Sequence, residues 1–423
     1  MRVLIVNTSE NTGGAAIAAN RLMEALKNNG VKAKMLVRDK HTEQITVAAL
    51  APSWLHRLKF AWERFVIWQA NRFKKNNLFQ VDIANTGTDI TGLPEFQEAD
   101  VIHLHWINQG FLSLDNLQQI ADSGKPIVWT LHDMWPFTGI CHYSGECNRY
   151  ETACHHCPLI YGGGGSHDLS ARTFRQKECL LRHTHIRFVA CSRWLAELAR
   201  RSRLLTGQSV CSIPNAINTN LFRPSNKTQA RLECHLPADK KLILFGSFKI
   251  TDERKGIRYL LEACRLLHDR CPELTDRLGM VVVGKKAEQL QDVLPFPLYT
   301  LDYISDERRM AALYQAVDVY VTPSLQDNLP NTIVEAMCCG VPCVGFNVGG
   351  IPEMIGHQTD GYVAQYRHAD DLAEGIRFVL HDEERYAELS RQAARKAATT
   401  YGEGNVAMKY IQIYNEITGP NRA

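Results

Sequence analysis

Asp327 and Glu335 lie eight positions apart in the stretch PSLQDNLPNTIVEAMCCGVPCVGFNVGG, which runs from Pro323 to Gly350. Between them, Asn328, Pro330 and Asn331 make a turn that opens a helix. With Asn331 as the N-cap, the amides of Thr332, Ile333 and Val334 point outward without intrahelical partners, an arrangement suited to a diphosphate. Glu335, about one turn further in, is placed to accept both hydroxyls of a ribose, and Asp327 in the loop to hold hydroxyls of a sugar. The same two acids also fit ordinary helix-start residues favoured by the helix dipole, and on the acids alone both readings stand.

Two other groups of residues carry chemistry. Cys141, Cys147, Cys154 and Cys157 fall within seventeen residues, the last two in Cys-x-x-Cys spacing. Four thiolates so placed suit a closed, structural, tetrahedral zinc, with His142, His155 or His156 able to replace one ligand. Redox chemistry and plain buried thiols are the competing readings. The nine remaining cysteines show no ligand spacing and read as small buried hydrophobes. His103 and His105 alternate in HLHW, so they share a face, and His132 stands in WTLHDMW. Such histidines are usually partly buried with satisfied hydrogen bonds, yet the ends of strands are also where α/β folds build sites.

The segment from Asp327 resembles the signature of glycosyltransferase family 4, retaining enzymes of the GT-B fold that include bacterial polysaccharide transferases of the colanic-acid type. The matching residues are Asp327, Glu335-Ala336-Met337, Gly340-Val341-Pro342, Gly349-Gly350-Ile351-Pro352-Glu353 and Asp360-Gly361-Tyr362-Val363. Asp327 stands where the family usually carries glutamate, a shorter reach. The resemblance implies that Lys255, in the Lys255-Gly256 pair, neutralises the leaving diphosphate, where charge builds as the glycosidic bond breaks. The arginine expected slightly upstream does not stand at the family position; Lys249 is the candidate to replace it, as a point charge instead of a bidentate fork, with a plain solvated surface loop as the other reading. Asn328, Leu329, Asn331 and Thr332 join Glu335 on the donor side, with Gly284 and the Tyr303-Ile304 region lining the base pocket. Gly13-Gly14 matches a family position beside the donor diphosphate. His132 matches one near the reacting sugar, with Asp133 and His105 on the acceptor side.

The resemblance further implies a front-face retaining mechanism without a catalytic cofactor, a UDP- or GDP-sugar donor and a glycan or lipid-linked acceptor. A nucleotide-sugar epimerase on the same fold and a catalytically silent scaffold on the membrane remain alternatives. Trp54 to Phe79 interleaves seven aromatic residues with Arg57, Lys59, Arg64, Arg72, Lys74 and Lys75, against the single acid Glu63. A basic helix rich in Trp and Phe can lie in the headgroup zone of a membrane. A helix packed on the sheet with a solvated basic rim is the other reading. These features place the protein in the cytoplasm, peripheral on the inner face of the membrane.

The elements that must position these residues are short apolar strands alternating with helix-length segments. They are Arg2–Val6, Val101–His105, Ile127–Leu131 and Ile186–Ala190 in one half, then Lys241–Phe245, Met280–Val283, Val317–Val321 and Pro342–Phe346 in the other. This pattern predicts parallel sheets with helices on both faces, in an α/β chain of two Rossmann-like domains facing across a cleft. The domains are expected at 1–213 and 214–400, with a helix at about 401–423 packing back on the first. A chain of 423 residues suits two domains, and a net charge of +3 with no recognition motif gives no reason to expect nucleic acid. Thirteen cysteines without a secretory signal favour a reducing compartment.

Overall fold

The computed structural model describes residues 1–419, so the last four residues of the expected C-terminal helix lie outside the described residues. Two compact units are present. The first comprises Met1–Asn215 and the chain from Val406, and the second Ala216–Asn405.

The first unit holds a seven-stranded parallel sheet in the order β3-β2-β1-β4-β5-β6-β7. Its strands are β1 Arg2–Ser9, β2 Lys32–Asp39, β3 Val47–Ala49, β4 Val101–Leu104, β5 Ile127–Leu131, β6 Ile186–Ala190 and β7 Ser209–Ser212. The second unit holds six parallel strands in the order β10-β9-β8-β11-β12-β13. They are β8 Lys241–Lys249, β9 Leu278–Lys285, β10 Leu298–Leu301, β11 Val319–Thr322, β12 Cys343–Phe346 and β13 Gly361–Ala364. Central strands such as β4, β5, β11 and β12 are buried at every residue, which is why they read as continuous apolar runs with no alternation. β2, β3, β7, β10 and β13 escaped the sequence reading because they are edge or near-edge strands. β2, for example, mixes four exposed or half-exposed charged residues into its length.

Five helices bear on function: α1 Gly14–Asn28, α2 Trp54–Ala70, α3 Leu169–Arg182, α4 Asn331–Cys338 and α5 Glu403–Thr418. In both sheets the strand order reverses beside the first strand of the unit, between β1 and β4 and between β8 and β11. Loops leaving neighbouring strands in opposite directions open a crevice at their carboxyl ends, and this is where such sheets hold ligands. The residues singled out by spacing follow these strands: Gly13 after β1, His105 after β4, His132 after β5, Lys255 after β8 and Asp327 after β11.

Candidate active site

In the second unit, Lys255 ends the short turn that follows β8, and Asp327 lies in the loop after β11. The Lys255 ammonium reaches Asp327 Oδ2 at 2.7 Å. Burial raises the Asp327 carboxyl, but the Lys255 cation outweighs it and Arg254 adds to the effect, so the group is held below the usual carboxylate range. Ser324 Oγ lies 3.5 Å from the same oxygen. A half-buried cation and a half-buried anion are therefore paired at the switch point, next to the start of α4.

The start of α4 differs from the sequence reading in one detail. Pro330 occupies the N-cap and Asn331 is the first helical residue, and no side chain caps the end. Proline fits because its fixed φ precedes the helix readily, and the shift is a single position. Glu335 is buried on α4, where Oε2 accepts the Tyr314 hydroxyl at 2.9 Å. Tyr320 donates to Thr332 Oγ1 at 2.9 Å. Both tyrosines orient residues assigned to the donor side. Neither could be found from spacing, since each lies on another element.

Lys249 closes β8, exposed, beyond a register irregularity between Gly246 and Lys249. Gly284 has φ 143°, and a β-carbon there would lie 1.8 Å from the Ser247 carbonyl oxygen. Close approach of β8 and β9 thus requires this glycine whatever lines the base pocket. Next to it, Phe248 packs edge-on against Tyr303 at 5.1 Å, and the Lys285 ammonium lies 4.7 Å over the Phe248 ring. Phe248 carried no signal beyond being an aromatic in a polar loop.

In the first unit the polar groups at the strand ends bond one another. His103 Nδ1 meets Tyr414 of α5 at 2.7 Å, and its Nε2 meets Thr130 Oγ1 at 2.8 Å. His105 Nδ1 meets His132 Nε2 at 2.9 Å, and His132 Nδ1 lies 3.5 Å from Cys191 Sγ. Burial lowers all three histidines, to about 3 for His103, about 4 for His132 and well below the usual value for His105. They are neutral at physiological pH. His132 is half-buried with both ring nitrogens engaged inside the fold. Leu329 and Asn328 are buried in the second unit, while Gly13, with φ 92°, caps α1 after β1.

Asp133 is similarly committed. Its Oδ2 accepts from Trp106 Nε1 at 3.0 Å and His142 Nδ1 at 2.8 Å, and its Oδ1 accepts the Trp135 amide at 2.8 Å. His142 Nε2 bonds Asp82 Oδ2 at 2.6 Å, and Asp82 Oδ1 pairs with Arg64 of α2. Burial lowers the His142 imidazole, but Asp133 and Asp82 together push it up to about 10. A histidinium is therefore clamped between two carboxylates. Its place beside Cys141 made it look like a zinc-ligand substitute, and the structure gives it a different task.

The four clustered cysteines do line one small cavity. Among the described residues, however, no three His, Cys, Asp or Glu side chains are arranged to hold a metal ion, and the zinc expectation is corrected accordingly. Cys157 packs in an apolar cluster with Ile67, Val81 and Ile160, and Cys154 accepts the Gly139 amide at 3.3 Å. Burial pushes Cys141 up to about 12 and Cys154 to about 11, so both are thiols. His155 and His156 face each other, Nδ1 to Nδ1 at 2.8 Å. Of the remaining cysteines, Cys179 is exposed, contrary to the expectation of burial.

α2 turns part of its charge inward and several of its rings outward. Glu63 and Arg64 are buried, with Glu63 Oε1 accepting the amides of Ile83 and Ala84 at 2.9 and 2.8 Å. Trp54, Leu55, Leu58, Trp62 and Phe65 are exposed, Trp54 by 70% and Trp62 by 56%. Arg64 is therefore no part of a solvated rim, whereas Arg57, Arg72, Lys74 and Lys75 are exposed. No described helix is long and apolar enough to cross a membrane.

Two family models match the chain: Glycosyltransferase Family 4 over residues 12–221 and Glycosyl transferases group 1 over residues 239–382. The chain belongs to the family 4 and group 1 glycosyltransferases. Its fold is GT-B. A D-inositol 3-phosphate glycosyltransferase of Thermobispora bispora is 27% identical over 221 residues, 49% of this chain and 51% of that protein. The N,N'-diacetylbacillosaminyl-diphospho-undecaprenol alpha-1,3-N-acetylgalactosaminyltransferase of Campylobacter jejuni is 28% identical over 219 residues, 50% of this chain and 56% of that protein. The chain thus spans about half the length of these curated relatives. The structure of Anabaena HepE in complex with UDP-glucose superposes with a TM-score of 0.64 at 17% identity, covering 98% of this chain and all of that one (100%).

Proposed function

We propose that this family member is a retaining glycosyltransferase that moves a sugar from a nucleotide-diphosphate donor to a lipid-linked glycan acceptor. The observation that carries the reading is the Lys255–Asp327 pair at 2.7 Å, set at the β8/β11 switch point beside the start of α4. With donor bound, Lys255 turns to the diphosphate and Asp327 holds sugar hydroxyls, while Glu335, oriented by Tyr314, takes the ribose. As the bond from the anomeric carbon to the diphosphate breaks, its electron pair stays on the phosphate oxygen, where Lys255 and the α4 amides offset the charge. The acceptor hydroxyl attacks from the same face and gives its proton to that phosphate oxygen, so configuration is retained and no catalytic metal is required. HepE carries UDP-glucose in its structure, which supports UDP as the first donor base to try.

The first unit is the acceptor side in this reading. His132, His105 and Asp133 shape its edge as neutral or fully paired groups, and His132 presents its half-buried ring to the sugar. The exposed rings of α2, rimmed by Arg57, Arg72, Lys74 and Lys75, support docking on an anionic membrane face, where a lipid-linked acceptor is met. The undecaprenol-linked substrate in the name of the Campylobacter relative supports this acceptor class.

The test is a thermal-shift screen against UDP, GDP, ADP, CMP and their common sugar conjugates. Selective stabilisation by one nucleoside diphosphate, lost in Glu335→Ala, is the expected result. Stabilisation by none of them overturns the donor site.

A further inference from the structure

A cavity of about 250 Å³ in the first unit is used by none of the groups above. It lies between the end of α2 and the start of α3, with Ala70 and Arg72 on one side and Tyr161, Gly164, His167 and Arg172 on the other. Two guanidinium groups and an imidazole thus border one concave space. The single carboxylate among the lining residues, Asp168, is already consumed. Its Oδ1 takes the Ser170 hydroxyl at 2.6 Å and the Ala171 amide at 3.0 Å, and its Oδ2 takes the Cys157 and Gly165 amides at 2.9 and 3.3 Å.

The backbone shapes both walls of the cavity. Arg172 Nε donates to the His167 carbonyl at 3.1 Å. Arg72 and Phe73 adopt left-handed φ values of 51° and 61°, and Asn71 Oδ1 accepts the Tyr161 amide at 3.1 Å, tying the end of α2 to the opposite wall. Arg72, Tyr161, Gly164, His167 and Arg172 are all exposed, so the cavity opens to solvent. Large exposed apolar side chains continue outward from it: Phe73 at 58%, Phe79 at 66% and Tyr161 at 45% exposure, followed by Phe65 and Trp62 of α2.

We infer that this cavity binds the phosphate group of a membrane lipid, as a phosphomonoester or diphosphate, gripped by Arg72 and Arg172. The inference rests on the membrane-docking reading of α2. Arginine forks match phosphate oxygens in pairs, and the volume holds such a group together with several waters of about 30 Å³ each. The adjoining exposed rings select a lipid-borne phosphate over a soluble one, because acyl or prenyl chains cover them at the same time as the headgroup enters.

The experiment measures binding to vesicles of phosphatidylcholine, with and without phosphatidic acid. It compares the wild type with Arg72→Gln/Arg172→Gln, with Lys74→Gln/Lys75→Gln as a charge-matched control, and with Trp62→Ser/Phe65→Ser. All the altered side chains are exposed, so the fold is retained. The arginine pair should lose about tenfold or more of the preference for phosphatidic acid, from two lost charge-assisted contacts, and the lysine control only about twofold. The aromatic variant should lose binding to both vesicles. Equal losses in the two charge variants overturn the cavity in favour of a diffuse basic rim. Should the wild type bind neither vesicle, the membrane reading itself fails, and inorganic pyrophosphate separates the rest. Thermal stabilisation by pyrophosphate that vanishes in Arg72→Gln/Arg172→Gln overturns the lipid source and keeps the anion site. No stabilisation overturns both.

Discussion

The carboxyl edges of the two sheets both carry ionisable side chains but engage them in different ways. On the second unit, Lys255 and Asp327 hold each other through a single contact, with Lys255 half-exposed, so a diphosphate can take the cation at modest cost. On the first unit, His105 Nδ1 bonds His132, and Asp133 bonds His142, Trp106 and the Trp135 amide, so most of the polar atoms are occupied from within, His105 Nε2 being a buried exception. The physical difference is the number of internal partners, with exposure second: the Lys255 and Asp327 side chains are 25% and 13% exposed, those of His142 and Asp133 12% and 11%. A partly hydrated ion pair is worth little to stability and is free to exchange partners, whereas a buried one is costly to break. In the proposed reading, the first edge serves the acceptor and the second the donor.

The largest effect that would test this contrast is on stability. His142→Ala leaves Asp82 and Asp133 facing each other without their shared cation, and should cost about 3–5 kcal/mol in urea unfolding. The same group sets a pH dependence. Burial opposes its charge, but the two aspartates hold its folded pKa at about 10, above the ordinary value of 6.5. That contribution is present in full below about pH 6.5 and is lost as pH rises through about 10. Wild type should lose stability across this alkaline window and His142→Ala should show a flatter slope there. Identical slopes would show that the clamp is not charged.

Lys255→Ala should do the reverse, lowering turnover about a hundredfold or more while leaving the unfolding midpoint nearly unchanged. Steady-state kinetics with the donor identified by thermal shift will measure it. Unchanged turnover would remove the lysine from the reaction and blur the distinction between the two edges. The smallest effect expected is that of Cys154→Ser, about 1 kcal/mol of stability, the usual size for a partly buried substitution. A loss several times larger, with zinc found in the wild type by elemental analysis, would restore the metal reading of the cysteine loop.

What spacing revealed and what it missed follow a common rule. Asp327, Glu335 and the helix between them could be read because a turn and its helix are local, and local geometry follows from neighbouring residues. Helix α4 starts as expected, within one position. The central strands were legible because burial on both faces forces apolar runs. The zinc reading lacks support for a related reason: the four cysteines line one cavity, but ligation needs a placement of side chains that spacing cannot supply and that is not found among the described residues. His142 was misread in the same way, because Asp82 lies sixty positions upstream.

By itself, then, the sequence determined the parallel α/β class, the family, and the turn and helix that carry Asp327 and Glu335, since each depends on short-range patterns of burial and turn geometry. Tertiary structure alone decided which of the polar side chains remain available. It brought Tyr314 to Glu335, Lys255 to Asp327 and His142 between two aspartates, from separations of 21 to 72 positions for the first two pairs. Availability depends on who else is within hydrogen-bonding distance, and the chain settles that only when its strands are ordered and its loops brought to the same edge.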